Sequence, residues 1–246
     1  MTEPRHLLVI ADSLAFHGPQ RPEVLTDPRL YPNVCAAALE AATGRPWRAD
    51  VVARLGWTAR DGWWALTKDP NVATVLAPRA DALLLGVGQM DHLSAAVPTY
   101  LREGIAYLRP GGLRRRVRSV HQQWGPRVIR ATGGRLRQLP QPATDTYLAR
   151  IVQAVRLLAG DIPVVLLGPS PHSAPAYPSL RHHGPAVGAA RRWAAAHRTG
   201  FVDLDPIVQP SLDAGTGNPD GMHWSFAVHE GVGTAAAGAL LAGLGG

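Results

Sequence analysis

Three side chains at opposite ends of the 246-residue chain have complementary chemistry. Near the start, an apolar run ends in Ala11-Asp12-Ser13-Leu14. Near the end, Asn218-Pro219-Asp220-Gly221-Met222-His223-Trp224 places an acid and a histidine three residues apart. A serine hydroxyl is a poor nucleophile until a base takes its proton. His223 can be that base, while Asp220 orients the imidazole and stabilises its cation. Each residue alone has an ordinary reading: Asp and Ser are common turn formers, Asp220 could cap a helix, and His223 could be a hydrogen-bonded buried histidine. Their combination points to nucleophilic acyl chemistry, with Ser13, Asp220 and His223 as a triad.

Such a triad needs a scaffold that brings residue 13 to residue 223. Short apolar runs at His6–Ala11, Asp50–Leu55, Asp81–Val87, Ile162–Gly168 and Gly200–Leu204 read as strands, each ending near a polar or glycine-containing turn. Helix-compatible stretches lie between and after them, at Pro32–Ala42, Ala59–Leu66, Val97–Leu108, Thr144–Leu158, Ala186–His197 and Phe226–Leu241. Alternating β and α elements predict a parallel sheet with helices on both faces. Functional residues then gather beyond the carboxyl ends of the strands. Ser13 fits that place, in the turn after the first strand.

The length suits one sizeable α/β domain, and an apolar fraction of 46% with 17% charged residues is that of a globular chain. One domain over 1–246 is therefore expected. No run is read as reaching the ~20 apolar residues that span a bilayer, and Met1–Arg5 lacks a signal-peptide apolar region. A cytoplasmic protein without stable membrane insertion is the expectation. The single cysteine, Cys35, excludes an intramolecular disulfide, and Val34-Cys35-Ala36-Ala37-Ala38 reads as a small buried residue on a helix. No carboxylate stands at metal-ligand spacing near His172 or His182-His183, so no metal is predicted. His229, six residues past His223, should point elsewhere on the last helix.

The net charge of +7 is almost wholly arginine, since Lys68 is the only lysine. Ten arginines and one acid fall between Arg102 and Arg137. The stretch from Pro110 to Pro142, with four prolines and two Gly-Gly pairs, breaks the β/α rhythm. It reads as an insertion or lid, with part of it helical around Leu113–Trp124. The Arg114-Arg115-Arg116-x-Arg118 cluster is a candidate anion-recognition element, represented by Arg115, because the guanidinium fork suits carboxylates and phosphates. A nucleic-acid-binding protein is the non-enzymatic alternative. Against it, only Tyr107 and Trp124 interleave with these arginines, and no recognition motif is present.

These motifs resemble the SGNH/GDSL hydrolase superfamily. Asp12-Ser13-Leu14 matches its first block and Asp220-x-x-His223 its last, while Gly88-Gln89-Met90-Asp91 falls where the family has Gly-x-Asn-Asp. Trp57-Thr58-Ala59-Arg60 falls at its second block, which carries an oxyanion-hole glycine. The resemblance implies a flavodoxin-like three-layer α/β/α sandwich around a five-stranded parallel sheet. It also exposes two departures. Met90 replaces a side-chain oxyanion donor, a loss worth about 2.7–4 kcal/mol of transition-state stabilisation, and Ala59 replaces the glycine. The hole is then expected from the backbone amides of Ser13 and Ala59, aided by Gln89. The strings ADSLAFHGP (11–19), GWTARDGWWALTKDP (56–70) and GNPDGMHWSFAVHE (217–230) resemble the actinobacterial diglucosylglycerate octanoyltransferases. That resemblance implies small-molecule substrates, octanoyl-CoA as acyl donor, no resident cofactor and no nucleic acid. Its acceptor would be a glucose hydroxyl of diglucosylglycerate, in methylglucose lipopolysaccharide biosynthesis. A carbohydrate esterase or lipase using water as acceptor is the alternative with the same chemistry. Asp12, Trp57, Met90, Asp91 and Trp224, beside the motifs, are expected to contact substrate, with Asp91 also a candidate helix cap.

Overall fold

The computed structural model describes residues 3–244; Met1 and Thr2, part of the stretch read above for a leader, lie outside the described residues. Five parallel strands form one sheet: β1 (Arg5–Ala11), β2 (Trp47–Ala53), β3 (Ala82–Gly86), β4 (Val164–Leu167) and β5 (Gly200–Val202). Their order is β2-β1-β3-β4-β5, the doubly wound, flavodoxin-like arrangement. The sequence places the second strand too late. Trp47, Arg48 and Ala49 already pair with Arg5, His6 and Leu7, and a polar start to an edge strand carries little periodic signal.

Side-chain alternation along β1 builds both cores. Leu7, Val9 and Ala11 face one side, against α1 (Tyr31–Thr43) and α8 (Phe226–Leu244). Leu8 and Ile10 face the other, against α2 (Ala59–Lys68), α5 (Gln141–Ala159) and α6 (His183–Ala196). This is the period-2 pattern of a strand buried on both faces. Cys35 is fully buried on α1, and burial pushes its thiol up to about 12. By length and composition α8 is apolar enough to cross a membrane, a feature that the sequence reading passed over. Here Val228, Val232, Ala236 and Leu240 lie in the core instead.

The remaining helices are α3 (Thr99–Gly104), α4 (Gly111–Ala131) and α7 (Asp205–Asp213), with a π-helical turn at Val72–Leu76. The sequence reading has no α7 and no π turn, and its helix over Val97–Leu108 is α3 followed by a 3-10 turn at Ile105–Tyr107. The segment 110–142 is not mainly loop. Its α4 is 21 residues long and continues through Pro126, whose ring removes one backbone donor without ending the helix. Gly133 and Gly134, both left-handed at φ 61° and 65°, then turn the chain back toward α5.

Candidate active site

Ser13 opens a 3-10 turn, Ser13–Ala15, immediately after β1. Asp12 caps that turn: its Oδ1 accepts the Leu14 N–H at 3.0 Å. At the first turn position the Ser13 N–H has no intrahelical acceptor. The Asp220-x-x-His223 segment lies in the loop between α7 and α8. Gly221 takes φ 72° there, and a Cβ would stand 2.7 Å from the Ser173 carbonyl carbon, so only glycine lets this loop close on the one after β4. The Ser173 N–H donates to the Gly221 carbonyl across that contact.

These turns bring together three residues that are distant in sequence. Ser13 Oγ stands 3.0 Å from His223 Nε2, and His223 Nδ1 stands 2.5 Å from Asp220 Oδ2. Asp220 Oδ1 accepts the N–H groups of Met222 and His223, which fixes the carboxylate. Burial pushes the Asp220 carboxyl up, but these two N–H groups and the imidazole more than offset it, leaving it below the ordinary range. Burial pushes His223 down, and Asp220 only partly restores it. The ring is therefore neutral near pH 7. Its Nδ1–H points to Asp220, leaving the Nε2 lone pair for the serine proton.

His17, which the sequence reading did not single out, stacks on His223 with ring centroids 3.7 Å apart and planes at 20°. Its Nδ1–H donates to the Gly18 carbonyl. His229 does not point away from this region. It is fully buried, its Nδ1 accepts the Tyr31 N–H, and its Nε2–H donates to the His17 carbonyl. His17 carries no local signal in the sequence, because its stacking partner lies near the other end of the chain.

The Ser13 cavity is small and is lined by Asp12, Gln89, Met90, Ser170, His172 and Met222 among others. The expected oxyanion donors are otherwise engaged. The Ala59 N–H donates to the Asp91 carboxylate at 3.1 Å. Gln89 spans to the end of β4, donating to the Gly168 carbonyl at 2.7 Å and accepting the Ser170 N–H at 2.6 Å. Of the three, only the Ser13 amide makes no hydrogen bond among the described residues.

The expected substrate contacts divide similarly. Asp12 and Met90 line the cavity; burial raises the Asp12 carboxyl to about 7, with Asp91 nearby adding to the effect. Asp91 does not line the Ser13 cavity. Its carboxylate holds Ala59 N–H and Thr144 Oγ1, so it caps α2, not the helix that follows it. Trp57 is half-buried in a separate groove beside β2 and α2, which also takes in Trp64. Trp224 is core: it is 2% exposed, donates to Ser170 Oγ and packs against Tyr31 and His229. Arg115 lies on the exposed face of α4 with Arg114, Arg116 and Arg118, outside the cavity, because only the Gly125 and Ile129 side of that helix is buried. His92, His172 and His183 gather behind the cavity. Among the described residues, no cluster of His, Cys, Asp or Glu is arranged to hold a metal.

A doubly wound sheet with a serine in the first strand's turn and Asp-x-x-His before the last helix is the build of the SGNH/GDSL hydrolases. Solved structures agree on the fold. A lipase/acylhydrolase from Enterococcus faecalis superposes with a TM-score of 0.59 at 17% identity, over 95% of this chain and 93% of that one. An acetyl-xylooligosaccharide esterase from Geobacillus gives 0.59 at 17%, over 98% and 96%. No family model matches the chain. Full sequences are more specific. The diglucosylglycerate octanoyltransferase of Mycolicibacterium hassiacum is 40% identical over 228 residues, covering 92% of this chain and 90% of the relative. That of Mycobacterium tuberculosis is 41% identical over 231 residues, covering 92% and 88%. The chain belongs to the diglucosylglycerate octanoyltransferase family.

Proposed function

We propose that this protein transfers an octanoyl group from a thioester donor, octanoyl-CoA, to a glucose hydroxyl of diglucosylglycerate. Ser13 Oγ attacks the thioester carbonyl while His223 Nε2 takes its proton. The C–S bond breaks, the thiol leaves with that proton, and an octanoyl ester forms on Ser13. The sugar hydroxyl then gives its proton to His223 and attacks the ester, and as the acyl–Oγ bond breaks His223 returns the proton to Ser13 Oγ. Asp220 holds the imidazole through both steps. The reading is carried by the hydrogen-bonded series Ser13–His223–Asp220; the substrates come from the names of the two relatives. A donor of this kind fits a reaction in the cytoplasm.

Transfer must beat hydrolysis, although water is far more abundant than sugar. Acceptor positioning can supply about 7–11 kcal/mol, and the enclosed serine, 6% exposed, limits access by bulk water. With Met90 in place of a side-chain donor, a thioester is a fitting substrate, being activated before it binds. Mass spectrometry of a mixture of protein, octanoyl-CoA and diglucosylglycerate tests the proposal. Octanoylated sugar is expected with wild type, and Ser13→Ala should form it roughly 10⁴–10⁶-fold more slowly. Free octanoate with unmodified sugar would instead support the esterase reading.

A further inference from the structure

A second cleft, about 190 Å³, opens beside the Ser13 cavity. It lies between α4, α3 and the loop after β4, and it is lined by Ser94, Arg102, His121, Gln122, Gln138 and Tyr177 among others. The two spaces are neighbours. Leu93 lines the catalytic cavity and Ser94 the cleft, while the His172 and Tyr177 rings, one in each, meet edge-on at 6.4 Å.

Its chemistry is that of a site for a polyhydroxylated anion. Gln138 is only 4% exposed, yet its Oε1 has no hydrogen-bond partner. Its backbone is held, with the N–H donating to the Leu93 carbonyl and its own carbonyl accepting from Thr99. A buried acceptor left unpaired is destabilising unless a ligand satisfies it, and a sugar hydroxyl is a suitable donor. Arg102 is half-buried in the wall and forms no ion pair among the described residues. Among the described residues, no carboxylate lines the cleft. An unpaired guanidinium in a largely enclosed wall favours a ligand carboxylate.

We infer that this cleft binds the acceptor, with Arg102 on its carboxylate and Gln138 on a sugar hydroxyl, so that the glucosyl unit reaches toward Ser13. The inference rests on the proposed transferase reading. It moves anion recognition from the exposed Arg114–Arg118 cluster to Arg102.

Calorimetry without acyl donor, using diglucosylglycerate and its uncharged glycerol counterpart, tests it. Arg102→Gln should weaken diglucosylglycerate binding by about tenfold or more and leave the glycerol compound within twofold. Arg102→Lys, which keeps the charge but loses the fork, should fall between. Hydrolysis of p-nitrophenyl octanoate, which needs only Ser13 and its partners, should be unchanged in both variants. A diglucosylglycerate affinity within twofold of wild type in Arg102→Gln, or an equal loss for both ligands, would overturn the proposal. Absence of even a single-turnover burst of p-nitrophenol in wild type would refute the serine mechanism instead, and the calorimetric comparison would still decide the cleft.

Discussion

At the scale of residues, reactivity depends on the protonation of one ring. His223 must be neutral to accept the Ser13 proton, and burial holds it below its ordinary value despite Asp220. For p-nitrophenyl ester hydrolysis, kcat/KM should therefore rise with pH along one limb and reach its plateau early. The limb's midpoint should lie below the usual histidine value of about 6.5. A midpoint above that value would show that Asp220 outweighs burial. These residues were legible in the sequence because they are local motifs: Asp12-Ser13 marks a strand end, and Asp220-x-x-His223 encodes its own hydrogen bond. His17 and Gln138 were not, because ring stacking and an orphaned acceptor exist only once distant segments meet. Ala59 and Gln89 show the converse difficulty. Their positions in the motif order were readable, but the partners that occupy their hydrogen bonds were not.

At the scale of elements, one buried carboxylate ties three segments together. Asp91, in the turn after β3, accepts from the N-terminus of α2 and from Thr144 on α5. Asp91→Ala leaves both donors without this partner, and at about 1–3 kcal/mol per buried group the loss should total roughly 2–5 kcal/mol in urea unfolding. Asp91→Asn, which keeps an acceptor, should lose less. Equal stability of Asp91→Ala and wild type would mean that α2 is capped adequately by its own box, Thr58 with Asp61. The strands and long helices were legible because apolar periodicity is strong where both sheet faces are buried. The length of α4 was not, since Pro126 and the flanking glycine pairs read as breakers. In the structure the helix instead runs through the proline, and Gly125 and Ile129 supply its buried side. The start of β2 was hidden for a related reason: Arg48 sits on an edge, where a polar residue is allowed.

At the scale of the whole molecule, buried ionisable groups pull stability in opposite directions as pH falls. His229 and His172, each pushed down to about 4 by burial, resist protonation when folded, so their contribution is full above the unfolded value of about 6.5 and declines as pH falls toward 4. Asp12 and Asp91, raised to about 7 and about 6, bind protons more readily folded than unfolded, so their burial becomes less costly over the same range. Asp12→Asn removes one of the latter. Relative to wild type, the variant should lose stability by up to about 1.4 kcal/mol per pH unit as pH drops from 7 toward 4. Parallel unfolding curves at pH 8 and pH 5 would contradict this. The proposed reaction depends on a covalent intermediate at the end of β1, and intact-protein mass spectrometry reads it directly. Protein mixed with octanoyl-CoA, with no acceptor present, should gain the mass of one octanoyl group, mapped by peptide digestion to Ser13. Ser13→Ala should gain none, and adding diglucosylglycerate should clear the adduct from wild type. Octanoylated sugar formed with no adduct on rapid acid quench, or an adduct that persists in Ser13→Ala, would contradict the acyl-enzyme mechanism.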